Sequence, residues 1–322
     1  MKGVFLDLDS MHPQDLDLSD LEKSLTKCVL HATTTPDELV PRIADADVII
    51  SNKVVINEIH MQAAKNLKLI CVAATGYNNI DINAATRLGI TVANARGYAT
   101  ASVVEHVFGL MLALTRNLFQ HHRAAHDGQW QRSPYFCVLD YPMVELNALT
   151  LGIVGYGELG RGVAQMAGAF GMKVLVAQSL QTTNIQPSSS GDRVPLDDLL
   201  RIADIVTLHC PLSEFTQNLI STRELTLMKK SAFLINTARG GIVDESALAS
   251  ALRAGQIAGA GIDVLSKEPP IASNPLLAND IPNLILTPHV AWAGQRARQE
   301  LLNEITRNIN AFANGTPRNC VR

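Results

Sequence analysis

Short apolar runs that stop in glycine or polar residues alternate along this chain with longer stretches whose apolar positions recur every three or four residues. Gly3 to Asp9, Cys28 to His31, Asp47 to Ser51, Leu69 to Ala73 and Thr91 to Ala93 read as strands, and 14–25, 36–44, 57–66 and 81–88 as helices. That alternation predicts a parallel α/β domain. It resumes from Leu151 to Val154, with further strands at Lys173 to Ala177, Ile205 to His209, Ala232 to Asn236, Gly259 to Asp263 and Leu284 to Thr287. Between the two series, Ala101 to Leu118 reads as one long helix, apolar over more than one face through Val103, Val104, Val107, Phe108, Leu110, Met111 and Leu114. A helix buried all round predicts a domain junction or a subunit interface. Trp130 to Met143, with Ser133-Pro134 and Tyr141-Pro142, has little periodicity and is expected to be an extended loop wrapping something, such as a neighbouring subunit.

The stretch that organises the rest is Thr150 to Gly162, where a strand stops in Gly155-Tyr156-Gly157-Glu158-Leu159-Gly160. In a strand–turn–helix context Gly155 permits the tight turn, Gly157 admits a pyrophosphate to the backbone, and Gly160 lets helix pack on strand. The helix start supplies amide donors and the positive end of a dipole. A helical segment follows through Phe170, and the strand Lys173 to Ala177 completes the βαβ unit that a dinucleotide requires. That strand ends at Gln178, where NAD-specific folds commonly carry an acid for the ribose hydroxyls. Without a carboxylate to repel the extra phosphate of NADP, and with Arg193 lying only beyond the polar loop 181–192, the choice between NAD and NADP stays open, NAD slightly favoured.

Composition narrows the classes. A chain of 322 residues with 47% hydrophobic and 18% charged residues is globular and long enough for two cores. A net charge of -3 gives no electrostatic reason to expect nucleic acid or an anionic membrane, so small ligands are the expected partners. The five cysteines are scattered without CxxC spacing, which predicts reduced thiols, no zinc site and a cytoplasmic location. No signal peptide pattern precedes Val4 to Leu8, and no apolar run is long enough to span a bilayer.

Several groups of residues suggest chemistry. Asp7 and Asp9 match the DxD of aspartate-nucleophile phosphatases, but the lysine and paired-acid elements such enzymes need are missing, and Asp197-Asp198 reads as a helix start, so a strand ending in a polar loop is the expectation. His121, His122 and His126 have helical spacing but no acid-rich partner loop and are expected to form a solvated face rather than a metal site. Lys53 follows one strand and the loop Thr75-Gly76-Tyr77 another, where a carboxylate could be collected by backbone amides. In the second series the loops after the strands bring Arg239, Glu268 and His289 to one edge, an arginine, an acid and an imidazole suited to reducing an anionic carbonyl compound.

The strings His209-Cys-Pro-Leu212, Asn236-Thr-Ala-Arg-Gly-Gly-Ile-Val-Asp244, Gly259-Ala-Gly-Ile-Asp-Val264 and Thr287-Pro-His289, in this order behind GxGxxG, resemble the D-isomer-specific 2-hydroxyacid dehydrogenases over nearly the whole chain. Asn78-Asn79-Ile-Asp81, Phe136-Cys-Val-Leu-Asp-Tyr-Pro142 and His289-Val-Ala-Trp292 most resemble the glycerate dehydrogenases, or hydroxypyruvate reductases. The resemblance implies that His289 protonates the carbonyl oxygen as hydride reaches the carbon, that Glu268 holds its other ring nitrogen and stabilises imidazolium, and that Arg239 grips the substrate carboxylate. It implies that Cys210, Pro211, Thr237 and Ala238 line the cofactor, that Asp263 meets the nicotinamide carboxamide, and that Trp292 bounds the substrate pocket. Thr75, Gly76 and Tyr77, with Lys53, would complete the carboxylate clamp.

The implied fold is two doubly wound parallel-sheet α/β domains. A Rossmann cofactor domain, residues 99–294, is inserted into a flavodoxin-like substrate domain, 1–98 plus 295–322, with hinge closure at the two crossings. A homodimer through the 101–118 helix is the family's usual arrangement. The expected substrate is a small 2-oxo acid, hydroxypyruvate or glyoxylate, interconverted with D-glycerate or glycolate. The alternative is a dinucleotide-sensing, corepressor-like interaction protein of the same fold.

Overall fold

The structure, a computed structural model, describes residues 1–179 and 193–321, and the polar loop 181–192 singled out in the sequence lies outside the described residues. Two compact units are present, Met1–Ala99 with Trp292–Arg322 and Thr100–Ala291.

The first unit begins β1 (Lys2–Phe5), α1 (Ser19–Lys23), β2 (Lys27–Leu30), α2 (Pro36–Ile43), β3 (Val48–Ser51), α3 (Glu58–Ala63), β4 (Leu69–Val72), α4 (Ile82–Arg87) and β5 (Thr91–Ala93). Three of these helix starts have a local chemical reason. Thr35 and Glu38 form a reciprocal capping box on α2, Asn57 accepts from the His60 amide on α3, and Asp81 accepts from the Ala84 amide on α4. Strands β3 and β4 are buried along their whole length, which is why they read as continuous apolar runs rather than as an alternation.

The second unit runs α5 (Thr100–Thr115), α6 (Leu118–His126), β6 (Thr150–Val154), α7 (Glu158–Ala169), β7 (Lys173–Ala177), β8 (Arg193–Val194), α8 (Leu196–Ile202), β9 (Ile205–Leu208), α9 (Thr222–Leu227), β10 (Phe233–Asn236), α10 (Glu245–Arg253), β11 (Gly259–Ile262) and β12 (Leu284–Leu286). Its seven-stranded sheet has the order β12-β11-β10-β9-β6-β7-β8, paired in parallel throughout. That is the doubly wound dinucleotide-binding order, and its switch point lies between β6 and β9. The predicted helix 101–118 stops at Thr115, because Asn117 takes a left-handed conformation (φ 47) and α6 starts afresh. The apolar positions of α5 face its own unit, packing on α7, β10 and β11, while Ala101, Glu105 and Gly109 form an exposed stripe.

The chain then returns to the first unit as α11 (Gln295–Ala313) and β13 (Cys320–Val321). The six-stranded sheet there reads β13-β5-β4-β3-β1-β2, with β13 antiparallel and the others parallel, a flavodoxin-like order. Leu301, Leu302, Ile305 and Ile309 of α11 bury one sheet face with Phe5, Ile50 and Leu69, and Leu39, Ile43 and Met61 cover the other with Val4, Ile49 and Ile70. Among the described residues, no helix is long and apolar enough to cross a membrane.

Candidate active site

In the second unit the turn after β6 is built from glycines for different reasons. Gly155 has φ +96, and a methyl there would lie 2.5 Å from the His209 carbonyl carbon and the Cys210 nitrogen; one on Gly160 would lie 2.2 Å from the Gly155 oxygen. Those two positions are closed to any side chain by the protein itself. A methyl on Gly157 would meet nothing within 4 Å, so the open space in front of it belongs to a ligand or to solvent. Gly157 caps α7 without any side-chain acceptor, and the first intrahelical bond is Arg161 N–H to the Gly157 carbonyl at 3.0 Å. The amides of Glu158, Leu159 and Gly160 therefore point out of the helix, available to an anion. The Glu158 carboxylate accepts from the Thr100 hydroxyl.

Across the switch point, Cys210 and Pro211 follow β9, and Thr237 and Ala238 follow β10. Burial pushes the Cys210 thiol up to about 11, so it is a neutral, unreactive wall. The Thr237 hydroxyl is buried and has no hydrogen-bond partner among the described residues. An orphaned buried hydroxyl, uncapped helix amides and a glycine facing open space suit a pyrophosphate-containing cofactor. At the end of β7 the Gln178 amide donates to the Val194 carbonyl at 2.9 Å. Arg193 stands in register with Val176 on the adjoining strand, its Nε buried and unpartnered among the described residues, so an arginine remote in sequence lies on the strand beside Gln178.

A carboxylate–imidazole pair forms in the loops after β11 and β12. His289 Nδ1 lies 2.6 Å from Glu268 Oε2, and Glu268 Oε1 accepts from the Leu265 amide at 2.9 Å. The carboxylate is thus fixed by backbone before it meets the imidazole. Asp263, 1% exposed, holds the loop that carries His289: its Oδ1 accepts from Thr287 Oγ1 at 2.6 Å and the Val290 amide at 2.9 Å, and its Oδ2 from the Ala291 amide at 2.9 Å. Its main-chain carbonyl accepts from the His289 amide at 2.8 Å, and His289 has φ 54, a left-handed conformation that few residues other than glycine adopt. Among the described residues, these bonds leave the second lone pair of Oδ2 for a further donor.

Arg239 is presented by a turn that Asn236 closes, Nδ2 donating to the Arg239 carbonyl at 2.9 Å and Oδ1 accepting from the Ala238 amide at 3.1 Å. One guanidinium nitrogen bonds the Ala238 carbonyl at 2.7 Å, and among the described residues Arg239 makes no ion pair. A positioned, half-buried guanidinium fork has the chemistry to receive a carboxylate.

In the first unit Lys53 and Thr75 to Tyr77 come from loops that are fastened together. Asn79 Nδ2 donates to the Val54 carbonyl at 3.0 Å, and the Ile56 amide to the Asn79 carbonyl at 2.8 Å. Asp7, whose DxD spacing matched a phosphatase nucleophile, is instead committed to structure: its carboxylate accepts from the amides of Asn52 at 2.9 Å, Lys53 at 2.6 Å and Val54 at 3.3 Å. Asn94 donates to the Thr75 carbonyl at 2.7 Å, and Asn308 of α11 donates to the Asn94 carbonyl at 2.9 Å. Trp292 packs half-buried against the cluster containing Phe5 and Ile50. Sequence reading missed Asn94 and Asn236, whose signal was weak: asparagines at strand ends, where a side chain can close a turn.

Of the three histidines on α6, His122 and His126 are exposed as expected, but His121 is not part of a solvated face. It lies edge-on to the Tyr141 ring, 5.4 Å between centroids, with Nε2 buried. The described residues hold no group of three or more potential metal ligands.

Comparison with known proteins identifies the family. The family model described as D-isomer specific 2-hydroxyacid dehydrogenase, NAD binding domain, matches residues 108–291. A glycerate dehydrogenase of Methylorubrum extorquens is 43% identical over 99% of this chain and 98% of its own. A hydroxypyruvate reductase of Blautia hydrogenotrophica is 36% identical over 100% of this chain and 99% of its own. A crystal structure of a protein from Thermus thermophilus superposes with a TM-score of 0.84 at 32% identity, each chain covered 100%. Fold, ordered motifs and full-length similarity agree: the chain belongs to the D-isomer-specific 2-hydroxyacid dehydrogenase family, oxidoreductases that bind a nicotinamide dinucleotide.

Proposed function

We propose that this protein interconverts hydroxypyruvate and D-glycerate, and secondarily glyoxylate and glycolate, with NAD(H) first and NADP(H) admitted. The observation that carries the reading is the 2.6 Å contact of His289 Nδ1 with Glu268. With the carboxylate ionised, Nδ1 is the donor in that bond, so Nε2 is the atom that exchanges the reacting proton. Nε2–H protonates the carbonyl oxygen in reduction, and in oxidation the unprotonated Nε2 accepts the hydroxyl proton, while Glu268 holds the resulting imidazolium in place. Arg239 binds the substrate carboxylate through its planar fork and draws charge from the neighbouring carbonyl. In the first unit Lys53 and the amides of Thr75, Gly76 and Tyr77 are assigned to the same carboxylate, and Trp292 to the limit on the substrate's side chain. Gly155, Gly157, Glu158, Leu159 and Gly160 hold the pyrophosphate, Gln178 faces the adenosine ribose, and Cys210, Pro211, Thr237, Ala238 and Asp263 line the remainder. The bound cofactor supplies the hydride.

The names of the two relatives favour the three-carbon substrate, and the neutral Gln178 beside Arg193 favours tolerance of either dinucleotide. A homodimer belongs to the same reading. Beyond α6 the segment to Val144 exposes Trp130, Tyr135, Phe136 and Leu139, an apolar surface suited to a second copy.

The test follows nicotinamide absorbance with hydroxypyruvate, glyoxylate, pyruvate and phenylpyruvate, each with NADH and with NADPH. Hydroxypyruvate should give the highest kcat/KM, and Gln178→Asp should cut kcat/KM for NADPH by about tenfold or more while sparing NADH, because a carboxylate beside the extra phosphate costs at least ~1.4 kcal/mol. A faster reaction with pyruvate or phenylpyruvate overturns the substrate assignment. An unchanged NADPH rate in the variant removes Gln178 from the cofactor's neighbourhood.

A further inference from the structure

On α5 the polar side chains of Ser102 and His106, one turn apart, both reach the loop that carries His289. Ser102 Oγ donates to the Ala291 carbonyl at 2.7 Å, and His106 Nε2 lies 3.1 Å from Thr287 Oγ1. Their partners stand two residues to either side of His289. The loop between is held by Asp263, through the Thr287 hydroxyl, the Val290 and Ala291 amides and the His289 amide. So many restraints have a physical reason. A left-handed histidine costs backbone energy and persists only where the surroundings over-determine it.

The proton count fixes the direction of the chain of bonds. Thr287 has one hydroxyl proton, and at 2.6 Å from Asp263 Oδ1 that proton is donated to the carboxylate. Thr287 Oγ1 can therefore only accept from His106, so Nε2 of His106 carries a proton. The same nitrogen lies 3.6 Å from Asp263 Oδ1, so a charged ring would also face the buried carboxylate. We propose that His106, assisted by Ser102, is a positioning residue of the reaction: its Nε2–H, acting through Thr287, holds Asp263 and the left-handed turn in the geometry that aims the His289 imidazole. The proposal rests on His289 being the acid–base residue assigned above.

The test compares variants that differ in where a donor sits. Glutamine places its amide nitrogen near the position of Nε2, asparagine near that of Nδ1, and leucine offers none. The readout is the single-turnover rate of NADH consumption with hydroxypyruvate, beside KM and the dinucleotide Kd. His106→Leu and His106→Asn should slow hydride transfer by about tenfold with KM and Kd within about twofold, and His106→Gln should recover most of the rate, since small misplacements of a reacting group have costs of this order or larger. Thr287→Val should behave as His106→Leu does, and Thr287→Ser should recover, which keeps the test alive if a histidine variant fails to fold. A wild-type rate in His106→Leu, a loss in His106→Gln as deep as in leucine, or an effect confined to KM overturns the proposal. His289→Asn run alongside separates the two claims: its inactivity together with normal His106 variants condemns the support alone, whereas its full activity condemns the acid–base assignment beneath it.

Discussion

His209 follows β9 with Nε2 3.0 Å from Thr207 Oγ1 and Nδ1 buried without a partner among the described residues, and burial holds its pKa down to about 4. In the unfolded chain the ring takes a proton near its ordinary value of about 6.5. As pH falls below that value the unfolded state gains a proton the folded state refuses, so stability is lost between about 6.5 and 4 and is unaffected above. Calorimetry at pH 7 and pH 5 should therefore show a larger drop in Tm for the wild type than for His209→Gln, and equal drops would mean the ring is solvated. The Glu268–His289 contact was legible in the sequence because each is a reactive residue type at the end of a strand, where open α/β sheets bind ligands. Asp7 and His106 were not legible in their roles. Asp7 acts on backbone amides some forty-five residues away, and His106 through a threonine hydroxyl of a distant loop, partners that no local spacing encodes.

The βαβ element from β6 to β7 was readable within a residue or so because periodicity and glycine spacing agree there. The sequence already divided the glycines, Gly155 and Gly160 to turn and packing and Gly157 to the ligand, and the space around each sets two variants apart. Gly155→Ala must force a methyl into the backbone at 2.5 Å from a left-handed position, and should prevent folding or lower Tm sharply. Gly157→Ala has φ -76 and open space, so Tm should stay within a degree or two while the dinucleotide Kd, read by fluorescence, rises about tenfold or more. Unaltered affinity in that variant would detach the loop from the cofactor. The break between α5 and α6 escaped the sequence because Asn117 takes a left-handed conformation inside a run that stays helical in composition. Strands β8 and β13 escaped it because two-residue strands exist only through their pairing partners.

At the scale of the molecule, the segment 129–144 is pinned to itself and to α5, yet Trp130, Tyr135 and Phe136 stay exposed. Trp130 Nε1 donates to the Phe136 carbonyl at 2.9 Å, Ser133 Oγ to the Cys137 carbonyl at 2.9 Å, and the Val144 amide to the Thr115 carbonyl at 2.8 Å. Phe136 is 90% exposed and Leu139 71%, on a chain whose other apolar residues largely fill two cores. Light scattering should report a dimer for the wild type and a monomer for Phe136→Ser with Leu139→Ser at micromolar concentration; a monomeric wild type would refute the dimer. The two-unit architecture itself was legible from the alternation of short apolar runs and amphipathic stretches, whereas the homodimer was expected through the 101–118 helix, whose apolar positions pack on α7, β10 and β11 of their own unit. Catalysis as proposed stands on the His289–Glu268 pair turning over a 2-oxo acid. Its most direct test is the single-turnover oxidation of NADH by hydroxypyruvate, wild type beside His289→Asn at equal dinucleotide saturation. The expected result is rapid loss of nicotinamide absorbance in the wild type and a rate at least about a hundredfold lower in the variant, the order expected of a positioned acid–base group; equal rates in the two proteins would contradict the assignment.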